Sequence, residues 1–111
     1  MKTFKTQACQ GDVLFRRVDK IPEDAIVKKF DGPTIVAHSE NGGHHQFPKC
    51  IGLDFFETPN PLVCYLRIEG EVALDHMRPT DTHESILFTP GIYEMRRQRE
   101  YTPEGWRRVA D

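Results

Sequence analysis

What this chain lacks already excludes several kinds of protein. No apolar run approaches the roughly 18–20 residues that a bilayer-spanning helix needs, so no membrane span is expected. No apolar stretch follows Met1-Lys2-Thr3-Phe4-Lys5, and no signal peptide is expected either. No GxGxxG or GxxxxGKS/T run is present, which leaves phosphate binding through a glycine-rich loop without support. A GxSxG nucleophile elbow is missing too, and Ser39 and Ser85 are the only serines. Cysteine is scarce and odd in number: Cys9, Cys50 and Cys64, with no CxxC spacing. That usage fits reduced thiols and a cytoplasmic location better than a disulfide framework. Cys64, inside Leu62-Val63-Cys64-Tyr65-Leu66, reads as a small core residue. The net charge of −2 argues against a strongly basic nucleic-acid binder.

What is present points to one packed β domain. The 111 residues are 38% hydrophobic and 29% charged, a balance that supports a core. Two domains of half this length would each be too small to be stable without staples. Eight glycines and eight prolines punctuate short runs rich in branched and aromatic residues. Such runs at Val13–Val18, Thr34–His38, His44–Phe47, Gly52–Glu57, Leu62–Ile68, Val72–Asp75, Ser85–Thr89 and Ile92–Arg97 read as strands. Asn41-Gly42, Glu69-Gly70-Glu71 and Pro90-Gly91 supply turn chemistry between them. Two short helical turns are expected, one starting at Pro22-Glu23-Asp24-Ala25 and one at Thr102-Pro103-Glu104. The fold class is therefore all-β, a small barrel or sandwich with a cupin-like arrangement among the alternatives.

Charge and histidine coincide. The ends of the chain are basic, whereas residues 30–94 hold three basic and ten acidic residues and all five histidines. A negative field attracts cations and favours protonated imidazole, so the coincidence has chemical content. Strand alternation puts His45 with Phe47 on one face and His44 with Gln46 on the other. His38 ends the partner strand of that hairpin, and His83 enters a later strand through Glu84. His38, His45 and His83 at one mouth of a barrel, with Glu40 or Glu84 beside them, would suit a divalent metal such as Zn, Fe, Ni or Mn. The plain alternative is that these histidines tie down loop backbone. His76, between Asp75 and Met77-Arg78-Pro79, reads as an ordinary solvent turn.

The C-terminal end interleaves arginine with aromatics. Arg96, Arg97 and Arg99 precede Tyr101 and Trp106, a mixture that could clamp a partner. It could equally pair with the acidic middle and pin the C-terminus to the sheet. A protein partner or a second copy of this chain is the next use to consider; nucleic acid is disfavoured because Glu100 and Glu104 dilute the patch.

Several segments together resemble a family of small uncharacterised His-rich proteins of bacteria and phages. They are Gln10-Gly11-Asp12-Val13-Leu14, Ala37-His38-Ser39-Glu40, Thr89-Pro90-Gly91-Ile92-Tyr93 and Arg97-Gln98-Arg99-Glu100-Tyr101. The resemblance implies no activity, because none is assigned to the group. Its histidine pattern carries over at His38, His45 and His83, while Gly43 and Thr80 stand where the pattern has further histidines. The expectation is a β domain with a His-lined site for a divalent metal or small ligand. The alternative is a non-catalytic interaction or assembly protein, phage-encoded and located in the cytoplasm or the virion.

Overall fold

The computed structural model describes residues 2–10, 12–38, 44–49, 52–77, 83–97, 99–102 and 105–108, with backbone alone at 38, 76–77, 83–84, 99–102 and 105–108. Thirteen strands form among them and no helix. They run β1 (Lys2–Thr3), β2 (Gln7–Gln10), β3 (Val13–Val18), β4 (Ile26–Lys28), β5 (Thr34–His38), β6 (His44–Phe47) and β7 (Leu53–Glu57). Then follow β8 (Val63–Ile68), β9 (Val72–Met77), β10 (His83–Phe88), β11 (Gly91–Arg97), β12 (Arg99–Thr102) and β13 (Gly105–Arg108).

Two sheets face each other. One has the order β1-β10-β9-β6-β5 and the other β2-β3-β11-β8-β7-β4, while β12 and β13, among the described residues, pair with each other alone. All pairings are antiparallel except β1 with β10. The chain passes from one sheet to the other between β1 and β2, which leaves the tip of the β2–β3 hairpin against the opposite layer.

Alternation drives the packing. In β3, Val13 and Phe15 point inward and are fully buried, while Arg16 faces out. In β6, His45 and Phe47 are fully buried, and His44 and Gln46 lie on the other face with His44 Nε2 2.7 Å from Gln46 Oε1. Phe88 is the aromatic hub, with ring centroids 4.8–5.3 Å from Tyr93, Phe4, Phe15 and Phe47. These contacts tie both sheets together, and the edge-to-face pairs of Phe88 with Phe15, Phe47 and Tyr93 add to the area term.

The helical turn expected at Pro22 does not form. Ala25 N donates to Pro22 O at 3.2 Å to close a turn, and the chain goes directly into β4. Ile26 and Val27 are β-branched and pair with Glu57 and Phe56 on β7, so an open sheet edge captures them before a helix can propagate. Likewise Thr102 pairs with Gly105 across the β12–β13 hairpin, where a helix start was expected.

Candidate functional site

The tip of the β2–β3 hairpin carries an acid where solvent would normally receive it. Asp12 lies between Gln10, the last residue of β2, and Val13, the first of β3. Turn aspartates are usually exposed, yet Asp12 is only 1% exposed because the hairpin tip is tucked against the other sheet. There it meets His45 of β6, which is 0% exposed. His45 Nε2 stands 3.3 Å from Asp12 Oδ1. The other carboxylate oxygen accepts from Arg97 Nη2 at 3.2 Å.

Gln10 fixes the imidazole. Its amide nitrogen donates to Leu74 O at 3.0 Å, so its oxygen is the atom turned to His45 Nδ1 at 2.8 Å. An amide oxygen only accepts, so Nδ1 carries a hydrogen towards Gln10 and Nε2 faces Asp12. A carbonyl that accepts from Nδ1–H fixes the plane of the imidazole and the direction in which Nε2 points.

Backbone register brings more histidine to the same end of the five-stranded sheet. His45 pairs with His76 of β9, and His76 pairs in turn with His83 of β10. Directly paired antiparallel residues have Cα atoms about 5 Å apart. His38, the last residue of β5, pairs with His44, and Ala37 takes the position opposite His45. Two β-bulges flank the row, one in β5 between Ile35 and Ala37 and one in β10 between His83 and Ile86. Bulges re-aim side chains and concentrate beside functional sites. Ser85, within the second bulge, donates to Asp75 Oδ1 at 2.5 Å.

The sequence-expected residues thus divide. His45 is at the centre of the buried network. His83 starts β10 in the histidine row, with Glu84 next to it in the bulged segment, and His38 lies at the end of β5. Glu40 lies outside the described residues. His76, read from the sequence as a solvent turn, instead occupies a strand between β6 and β10. The reason is that β9 runs on through Met77, two residues beyond the expected stop at Asp75. Asp12 and Gln10 were missed as site residues; their signal was the compact Gln10-Gly11-Asp12 turn before an apolar strand, which reads as ordinary hairpin chemistry. Among the described residues no group of three or more His, Cys, Asp or Glu side chains is close enough to hold a metal.

The arginine-rich end also divides. Arg97 is held by Asp12, and Arg96 by Glu94 through Nε at 2.8 Å. Arg99 lies in β12 and Trp106 in β13, where it pairs with Tyr101. Arg97 also borders a cavity of about 280 Å³ between the sheets, together with Phe30, Val36, Phe55, Cys64 and Met95. Cys64 is no nucleophile: burial pushes its thiol far above the ordinary range, Glu57 adds to this, and Arg97 only partly opposes it.

No helix among the described residues is long and apolar enough to cross a membrane. No curated protein and no solved structure matches the chain. The sequence profile of the domain of unknown function DUF8820 matches residues 9–98. That span includes Gln10, Asp12, His45 and Arg97, and the chain belongs to the DUF8820 family.

Proposed function

We propose that this domain is a metal-binding protein whose divalent ion is held by His45 Nε2 and Asp12 Oδ1, with further ligands from the histidine row on β9 and β10. One observation carries the reading: these two buried donor atoms stand 3.3 Å apart. Two ligands on a tetrahedral ion with bonds of about 2.0–2.1 Å are separated by about 3.3–3.4 Å. Gln10 and Arg97 complete the surroundings. Gln10 sets the His45 ring, and Arg97 holds the second carboxylate oxygen so that the first is turned inward. Backbone register sets His76 and His83 in one row with His45, the positions from which further ligands would come. The donor set, imidazole with carboxylate, suits Zn, Fe, Ni or Mn. The neighbouring cavity gives a small ligand room beside Arg97.

The test is metal analysis of untagged protein dialysed against Zn²⁺ and, separately, Mn²⁺. About one equivalent per chain is expected, with affinity lowered roughly 10–100-fold in Gln10→Ala through loss of ring orientation. Asp12→Asn and His45→Ala should lose binding further. Saturating metal at about a hundred times Kd should add about 2.7 kcal/mol to stability, removable by chelator. Substoichiometric metal that is unchanged in both His45→Ala and Asp12→Asn would refute the reading and leave the network as a structural device.

A further inference from the structure

The outer face of the six-stranded sheet holds a second polar construction, which shares no residue with the His45 network and is independent of the metal reading. Register places Glu94 of β11 opposite Arg16 of β3, and Arg16 opposite Gln7 of β2. Arg96, two residues along β11, falls on the same face. Glu94 is 6% exposed at its side chain, and Tyr65 and Val63 of β8 on the same face are buried as well. Its Oε1 accepts from Arg16 Nη2 at 3.2 Å and Arg96 Nε at 2.8 Å. Its Oε2 accepts from Tyr65 Oη at 2.9 Å and Arg96 Nη2 at 3.4 Å.

This carboxylate is fully satisfied, and it neutralises only one of the two guanidinium charges gathered on it. Arg16 and Arg96 are 55% and 54% exposed, and most of their N–H groups have no partner among the described residues. Both border a surface notch of about 270 Å³ that Gln7, Leu14 and Glu94 itself also line. A buried carboxylate that fixes two half-exposed guanidiniums removes much of the ordering cost that a ligand would otherwise meet. The surplus of one positive charge matches a monoanion. A dianion would add uncompensated negative charge above Glu94.

We infer that this notch binds the carboxylate of a small organic monoacid, with Arg16 and Arg96 as its two guanidinium contacts and Leu14 against its carbon body. Arginine suits the planar, two-oxygen geometry of a carboxylate.

The probe is benzoate, titrated into chelator-treated protein so that the metal reading does not enter. Binding is read from the Arg16 and Arg96 Nε–H NMR signals and by calorimetry. Saturable shifts at both arginines are expected, with benzamide inert and inorganic phosphate binding no tighter than benzoate. Arg16→Gln and Arg96→Gln should each weaken benzoate roughly tenfold, the worth of one charge-assisted hydrogen bond. Arg16→Lys, which keeps the charge and loses the fork, should weaken it as well, and serves if a glutamine variant does not fold. Shifts that stay linear with concentration, equal binding of benzamide, tighter binding of phosphate, or an unchanged affinity in the folded Arg16 variants would each overturn the inference.

Discussion

At Glu94, burial pushes the carboxyl towards its protonated form. The hydrogen bonds from Arg96 and Tyr65 and the charges of Arg96 and Arg16 outweigh that, and hold the group below the ordinary value of 4.5. The opposite sense applies to Tyr65: burial first, then its bond to Glu94 and the charge there, raise the phenol. A carboxyl with a depressed native pKa stabilises the fold above its unfolded value and loses that contribution as pH falls through the native value. Stability should therefore decline as pH drops below about 4.5, and Glu94→Gln should flatten this limb. Melting temperatures at intervals from pH 7 to pH 3 check it. An identical acid limb in wild type and variant would show that other carboxylates set it. At the same scale Arg17 shows a cation used as cement. Its guanidinium lies 4.9 Å from the Tyr93 ring centroid and 5.8 Å from that of Phe4, while donating to Pro90 O and Thr89 Oγ1.

Among the elements, those with two-residue alternation were legible in the sequence and those decided by their neighbours were not. Val13–Val18, Thr34–His38 and His44–Phe47 form as the residue pattern predicts, because each has an apolar face that must be buried. Strands β1, β2 and β4 carry little such signal. Lys2–Thr3 and Ile26–Lys28 are exposed throughout and exist because an edge of β10 or β7 offers them hydrogen bonds. The site follows the same division. His45 was visible as the inward residue of β6, whereas Asp12 becomes a site residue only because its turn is pressed against another sheet. Gly52 precedes β7 at φ +87°, and its carbonyl accepts from Glu69 N at 2.8 Å. A Cβ there would stand 3.1 Å from Glu69 Cβ, in a backbone region that side chains rarely adopt. Gly52→Ala should cost about 1–2 kcal/mol in urea unfolding. Gly70→Ala, where a Cβ meets nothing within 4 Å, should be nearly neutral, and equal losses would remove the backbone explanation.

For the molecule as a whole, stability rests on the layer between the sheets. Phe88 touches Phe4 from the β1 side, Phe15 and Tyr93 from the opposite sheet, and Phe47 from its own. Phe88→Ala should therefore cost about 3–5 kcal/mol, measured by denaturant midpoint at constant slope. A loss below about 1 kcal/mol would mean that the layer collapses to fill the space. Surface pairs such as Arg67 with Asp54 at 3.0 Å contribute little beside this, because solvent screens them.

The bonds that assemble the His45 network join residues far apart along the chain. Gln10 reaches Leu74 across 64 positions, His45 reaches Gln10 across 35, and Arg97 reaches Asp12 across 85. Loops of such length close late, so folding is expected to be slow for a chain of this size. No partly synthesised or partly folded chain contains this constellation. An ion held between His45 and Asp12 as proposed would meet its full surroundings only once β9 and β11 have docked, so its occupancy would read out completed folding.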